Sequence, residues 1–271
     1  MIVFPNCKIN LGLYILQKRT DGFHDLETAF YPVPLQDALE VLPDESLGEN
    51  KLSLSGHTLD AAGGNNICLK AWQILKRDFH ALPFVKIHLH KVIPAGAGLG
   101  GGSADGAFTL LLLNNTFQLG LSENDLIKYA LKLGSDCPFF IRNKPIYASG
   151  RGEVMEEIDL NLSGYSLVLV NPRIHVPTGW AFSQIKPENS RQSIKEILQS
   201  PITQWKDRLT NDFEPIVFSK HPEVGKIKED LYTHGALYAS MSGSGSTIFG
   251  IFEKTVNLSL SFPPGYIYKV L

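Results

Sequence analysis

Five glycines fall within the seven residues from Gly96 to Gly102, inside the stretch Pro94-Ala95-Gly96-Ala97-Gly98-Leu99-Gly100-Gly101-Gly102-Ser103-Ala104. No regular strand or helix holds glycine at that density without losing stability, so the segment must be a shaped loop. Its flanks say what kind. Residues 84–91 alternate, with Val85, Ile87 and Leu89 on one face and Lys86, His88 and His90 on the other, which predicts a half-buried strand. On the far side, Ser103 opens an apolar stretch predicted to be helical to about Leu113 and ended by Asn114-Asn115. A glycine loop between a strand and a helix lets successive N–H groups turn toward one anion without Cβ clashes. The helix start adds free N–H groups and the positive end of the dipole. The Ser103 hydroxyl can reach a phosphate oxygen or its magnesium ion. Residues Pro94 to Ala104 are therefore the predicted nucleotide-phosphate site. A flexible loop without a ligand is the plain alternative, and the strand-to-helix frame argues against it.

Two familiar phosphate loops do not fit. A Walker loop needs G-x-x-x-x-G-K-[ST]; Gly96, Gly101 and Ser103 keep the spacing, but Gly102 stands where the lysine belongs. The dinucleotide pattern G-x-G-x-x-G is met by Gly96, Gly98 and Gly101, yet it requires a first βα turn and an acidic residue closing the next strand. Glu123 falls inside a predicted helix instead. That helix starts at Ser122, with Asp125 near the capping-box position, and Gly134 is placed at its C-terminal end. Ser135-Asp136-Cys137-Pro138 follows as a short loop carrying a carboxylate, and Asp136 can begin another helical turn.

The remaining segments mix strand and helix. Residues 8–16 and 166–170 read as strands, with Gly22-Phe23-His24 as a turn. Residues 191–199 and 222–233 read as helices, and Met241 to Thr247 reads as a glycine turn leading into a strand. Without strict βαβ alternation, the class is α+β rather than a doubly wound sheet. A chain of 271 residues fits one large or two modest domains, with a boundary predicted around 150–165, dividing the chain as 1–155 and 156–271. A net charge of -2 and no basic run argue against nucleic acid and against a membrane surface. Three widely spaced cysteines, Cys7, Cys68 and Cys137, suggest neither a disulfide framework nor a zinc site, and with no signal-peptide pattern a cytoplasmic setting is expected. His88 and His90 share a strand face, but no third ligand is suitably spaced, so no metal is assigned to them. Cys137 is read as packing.

A lysine-free P-x-G-x-G-L-G-x-x-S loop, preceded by Lys8-Ile9-Asn10-Leu11 and followed by Ser242-Gly243-Ser244-Gly245, resembles the GHMP kinase superfamily of small-molecule kinases. Asp21-Gly22-Phe23-His24, Leu133 to Phe140, Ile174 to Thr178 and Asn211-Asp212-Phe213-Glu214 narrow the resemblance. They are similar to the branch whose acceptor is a methylerythritol carrying a cytidine diphosphate. The resemblance implies a two-domain GHMP fold, with an ATP-binding N-terminal domain like ribosomal protein S5 domain 2 and a C-terminal α+β domain completing the substrate cleft. It implies transfer of the ATP γ-phosphate to the tertiary 2-hydroxyl, in the non-mevalonate route to isoprenoid precursors. A homoserine- or mevalonate-type kinase is the alternative.

Asp136 is expected to be the general base, against the plainer role of an N-cap aspartate. Lys8 is expected to offset negative charge on Asp136 and on the transferred phosphoryl group. Asn10 shares the face of Lys8 in an extended strand, and the resemblance implies that it contacts substrate. Phe23, His24 and Phe182 look like a pyrimidine clamp, since an aromatic face stacking on a base is worth about 1–3 kcal/mol. Core packing remains open for Phe182. Thr178 is a candidate hydrogen-bond partner of the substrate. Gly243 and Ser244 offer a second N–H nest, for substrate phosphate or for packing on the ATP loop, or else a tight hairpin turn. Asn66 and Lys91 are expected to border the adenosine. Magnesium should accompany ATP, held by the phosphates, Ser103 and water, with no carboxylate assigned as its ligand.

Overall fold

The computed structural model describes residues 1–44, 46, 48–57, 66–188, 190–256 and 258–271. The strands are β1 (Ile2–Val3), β2 (Asn6–Lys18), β3 (His24–Gln36), β4 (Ala38–Pro43), β5 (Lys51–Gly56), β6 (Val85–Lys91), β7 (Ile146–Ser149), β8 (Val154–Glu157), β9 (Tyr165–Asn171), β10 (Tyr238–Met241), β11 (Ile248–Glu253) and β12 (Ile267–Val270). The helices are α1 (Ile67–Asp78), α2 (Gly101–Thr116), α3 (Glu123–Leu133), α4 (Cys137–Arg142), α5 (Thr178–Gln184), α6 (Ile194–Ile197), α7 (Glu214–Lys220) and α8 (Pro222–Thr233). The fold is α+β, as the mixed pattern implies. None of the described helices is long and apolar enough to cross a membrane.

The residues group into two compact units, and the chain enters each more than once. One comprises Met1–Cys7, Pro34–Ala95 and Gly100–Lys144; the other comprises Lys8–Val33, Gly96–Leu99 and Pro145–Leu271.

In the first unit, β1, β4, β6 and β5 form a sheet in that order. β6 shows why: Val85, Ile87 and Leu89 are buried while Lys86, His88 and His90 face outward. It pairs antiparallel with β4 and parallel with β5. The exposed row is satisfied locally, with Ser53 Oγ at 2.7 Å from His88 Nδ1 and Ser55 Oγ at 2.9 Å from His90 Nδ1. Helix α2 begins two residues before Ser103 and runs three past Leu113. Gly100 is left-handed, with φ 70°, and marks the N-cap, so the helix takes in Gly101 and Gly102. Asn114 stays helical because its side chain finds partners beyond the helix, exchanging hydrogen bonds with Leu121 N and O. Helix α3 carries the predicted capping box, Ser122 with Asp125. Gly134 closes it in extended backbone, φ 172°, rather than in the left-handed form a glycine cap usually takes.

In the second unit, β10, β11, β9 and β12 form an antiparallel sheet, and β2, β3, β7 and β8 form another sheet in that order. Val168, Val170, Ile248 and Phe252 from the first of these sheets pack with Val224, Ile227 and Leu231 of α8 in one apolar cluster. The helix expected over 191–199 shrinks to Ile194–Ile197. Its N-terminus is fixed from outside, because Glu27 accepts from Ile194 N at 2.7 Å and from the Ser193 hydroxyl.

The capping box yields a stability prediction. Ser122→Ala should cost about 1 kcal/mol in urea unfolding and leave the catalytic constants unchanged. A loss within error would show that Asp125 alone holds the α3 N-terminus.

Candidate active site

The second unit gathers Lys8, Asn10, Gly96–Leu99, Thr178, Phe182, Gly243 and Ser244, with Phe23 and His24. Strand β2 places Lys8 and Asn10 on one face, as its period of two requires. Lys8 is only 3% exposed, so it is no solvated strand-start lysine. Its ammonium donates to Asn10 Oδ1 and to Gly98 O at 3.1 Å, and lies 5.1 Å from the Phe30 ring centroid. Its own N–H donates to Leu99 O at 2.9 Å. Asn10 Nδ2 donates to Thr28 Oγ1 at 2.9 Å, and that hydroxyl donates to Gly12 O at 2.6 Å. Asn10 thereby locks the rotamer of Lys8.

The loop residues Gly96–Leu99 are tied down through their carbonyls. Ala97 O accepts from Thr247 N at 3.2 Å, and Gly98 O accepts from Ser242 Oγ at 2.8 Å as well as from Lys8. Among the described residues, none accepts from the N–H groups of Gly96 to Leu99. With the carbonyls held by protein, those N–H groups are the free polarity of the segment, which suits an anion. Gly98 has φ +79°, and a Cβ there would stand 1.9 Å from Ser242 O.

Gly243 and Ser244 sit in the turn that joins β10 to β11, closed by Ser242 N to Thr247 O at 2.9 Å. The turn is thus a hairpin turn, and it also packs on the loop: a Cβ on Gly243 would lie 3.3 Å from Gly98 Cα. Asn211 Nδ2 donates to Met241 O at 2.7 Å and Gly243 O at 2.9 Å, and Glu214 accepts from Ser240 Oγ and Met241 N. The Asn-Asp-Phe-Glu segment therefore acts by shaping this turn. Ser244 Oγ is 3.0 Å from Thr178 Oγ1.

His24 and Phe182 stack, with centroids 5.1 Å apart and planes at 28°. Phe182 also meets Phe213 edge-on at 4.9 Å, so it is both an outward ring and part of the core margin. Phe23 is 56% exposed and carries the Arg151 guanidinium 4.9 Å above its ring.

The first unit holds Asn66, Lys91, Pro94, Ala95, Gly100–Ala104 and Asp136. The side-chain oxygen of Asn66 caps α1 by accepting from Cys68 N at 2.9 Å. Lys91 is 3% exposed, and its ammonium donates to Asp37 and, at 2.6 Å, to Asp105 Oδ2. Burial alone would lower the Lys91 pKa, but Asp105 and Asp37 more than offset it and hold it above the usual lysine value. Burial pushes the Asp105 carboxyl up to about 7 against the pull of Lys91, with Asp37 adding to the rise. Asp136 stands at the N-terminus of α4, followed by Pro138 in the first turn, and makes no capping hydrogen bond to that helix. Ser135 Oγ donates to it at 3.4 Å. Cys137 is buried, and burial pushes its thiol up to about 12, so it stays a packing residue. Among the described residues, no group of three or more His, Cys, Asp or Glu is arranged to hold a metal ion. Thr28, Asp37 and Asp105 support predicted site residues and have no motif of their own to single them out, whereas Ser242 and Asn211 lie in motifs of the sequence that carry no role for them.

The arrangement has known counterparts. Residues 66–144 match the GHMP kinases N terminal domain and residues 193–258 match the GHMP kinases C terminal family. A 4-diphosphocytidyl-2-C-methyl-D-erythritol kinase of Bacteroides thetaiotaomicron is 51% identical over 93% of this chain and 92% of its own. The chain belongs to the 4-diphosphocytidyl-2-C-methyl-D-erythritol kinase family of GHMP kinases. A crystal structure of a 4-(cytidine 5'-diphospho)-2C-methyl-D-erythritol kinase superposes with a TM-score of 0.79 at 31% identity, covering 93% of this chain and 90% of that one. A homoserine kinase from Cytophaga hutchinsonii superposes with a TM-score of 0.69 over 98% of this chain and 93% of its own; at 13% identity it shares the GHMP fold alone. The α+β GHMP kinase fold expected from the sequence is the fold of this family.

The contact at Gly98 gives the second prediction. Gly98→Ala should destabilise the protein by more than about 1 kcal/mol, because its Cβ meets a backbone oxygen. Gly102→Ala, with nothing within 4 Å of the new Cβ, should leave the melting temperature unchanged. Equal melting temperatures for the two variants would mean that the loop does not press on Ser242.

Proposed function

We propose that the protein transfers the γ-phosphate of ATP to the 2-hydroxyl of 4-diphosphocytidyl-2-C-methyl-D-erythritol, a step of the non-mevalonate route to isopentenyl diphosphate. The observation that carries this reading is the 51% and 52% identity, over 93% of the chain, to relatives named as kinases of that substrate. The site supports it. The N–H groups of Gly96–Leu99 suit a phosphate, and in the first unit the N-terminus of α2 is of itself suited to an anion. The stacked His24 and Phe182 offer an aromatic platform for cytosine, with Phe23 as a further face.

In this mechanism Asp136 accepts the proton of the attacking hydroxyl. Its place at the N-terminus of α4 supports the role. Lys8, with its rotamer locked by Asn10, holds a positive charge for the phosphoryl group as it leaves ADP. Asn10, Thr178, Gly243 and Ser244 are assigned to the substrate, and Asn66 and Lys91 to the border of the adenosine. Magnesium bound with ATP supplies charge neutralisation on the phosphates. Ser103 is the residue of this chain assigned to it. Three buried free thiols support a reducing, cytoplasmic setting.

An assay with the cytidyl-diphospho-methylerythritol beside homoserine and mevalonate tests the reading. Turnover of the first alone is expected, and preference for either of the others would replace it with that type of kinase. Two variants test the roles. Asp136→Asn should lower kcat by about 100-fold or more, the lower end of what one general base contributes, with ATP affinity kept; near-normal turnover would remove Asp136 from the mechanism. Phe182→Ala should raise KM for the cytidyl substrate by about tenfold or more, the scale of one lost base stack, with KM for ATP unchanged. An unaltered substrate KM would show that Phe182 serves the core and not the base.

A further inference from the structure

Three charged side chains are buried together in the first unit, and the two carboxylates among them have no part in the mechanism above. Asp37 lies between β3 and β4, Lys91 ends β6 and Asp105 lies in the second turn of α2. Each is at most 3% exposed. Asp37 is fixed by its own N–H, which donates to Pro5 O at 2.8 Å. Its Oδ1 accepts from both Val92 N, at 2.6 Å, and Ile93 N, at 2.8 Å. Those are the two residues that lead from β6 into Pro94. Its Oδ2 accepts a hydrogen bond from the Lys91 ammonium, and Asp105 Oδ2 accepts another at 2.6 Å. The cluster thus grips the strand-side stem of the glycine loop with Asp37 and the helix-side stem with Asp105, and Lys91 joins the two grips.

The two stems also touch directly. A Cβ on Gly101 would lie 2.8 Å from Ile93 Cγ2 and 3.5 Å from Lys91 Nζ. The first helical residue is therefore packed against the end of the strand and over the ion cluster. Two carboxylates share one ammonium, and Asp105 Oδ1 has no protein partner. A core built only for stability gains little from such an arrangement, because desolvating each charge costs more than an apolar replacement would. What the cluster does supply is fixed geometry: three directional contacts to two backbone N–H groups and one helix.

We propose that Asp105 and Asp37, acting through Lys91, are positioning residues that set the spacing of the two loop stems and so preorganise the loop for the phosphates of ATP. This rests on the reading that the loop binds ATP. Neither carboxylate contacts the nucleotide in this role.

The test compares two neutral replacements in the full-length protein. Asp105→Asn keeps an oxygen that reaches Lys91, whereas Asp105→Ser is too short to reach it; both leave Asp37 as the single counterion. Calorimetric titration with MgATP, steady-state kinetics and hydrogen exchange over residues 92–103 are read for each. Asp105→Ser should weaken ATP binding and raise KM for ATP by about tenfold, with faster exchange over 92–103, while KM for the acceptor stays put. Asp105→Asn should stay within about twofold of wild type in all of these. The inference is overturned if the two variants bind ATP equally well. It is also overturned if Asp105→Ser lowers kcat and worsens both KM values together, which is what general loosening of the unit would do. Wild-type protein titrated in the same series separates the two readings. If MgATP protects no amide over 92–103 in wild type, the ATP-loop reading itself fails and this one with it. If it does, a Ser variant with wild-type affinity refutes the positioning role alone.

Discussion

The hold on the carbonyls of Ala97, Gly98 and Leu99 is what the rest of the structure depends on. A peptide unit has two ends, and fixing the C=O on protein decides where the N–H points. Thr247 N, Ser242 Oγ, Lys8 Nζ and Lys8 N take these three oxygens. Two of the four contacts come from Lys8, so the residue assigned to stabilise phosphoryl charge is also a structural strut for the loop assigned to bind it. Glycine at 98 is required twice over, by φ +79° and by the 1.9 Å to Ser242 O that any Cβ would face. A loop this rich in glycine loses much entropy on ordering. The contacts to Lys8, Ser242 and Thr247 offset that loss without using the N–H groups.

Polar residues far apart in sequence serve this one arrangement. Asn10 sets Lys8, Thr28 sets Asn10, and Asn211 with Glu214 sets the turn that carries Ser242. Each is buried and each has its hydrogen bonds met. Buried polar groups with their partners satisfied specify a single geometry at little net gain in stability. That is the signature of residues kept for position, and it agrees with the assignment of Lys8 and Asn10 to chemistry rather than to the strand.

Signals carried by neighbours in sequence were readable without the structure. The alternation of β6, the Ser122–Asp125 capping box and the shared face of Lys8 and Asn10 all depend on residues within a few positions of each other. The same holds for the glycine loop between strand and helix. Glycine reads as helix-averse, so the sequence starts α2 at Ser103, whereas Gly100 in the left-handed region merely sets the boundary and Gly101 must be small to pass Ile93. The helix over 191–199 was overdrawn because propensity cannot see Glu27, which fixes where the N-terminus of α6 lies. The parallel pairing of β5 with β6 left no local trace at all.

Lys91 shows the limit most clearly. In sequence it is a lysine just before a nucleotide loop, and proximity suggests that its ammonium faces the ligand. The structure adds what the sequence does not show: the ammonium donates to Asp37 and Asp105. Those partners come from positions 37 and 105, brought to residue 91 by the β4–β6 register and by the turn of chain after the loop. No pattern within a window of sequence encodes such a meeting. An ion cluster of this kind is also where a stability argument and a functional one diverge. The raised Asp105 pKa says that its charge is tolerated rather than favoured. A buried ion cluster that orders both stems of a ligand loop is better explained by what the loop has to do.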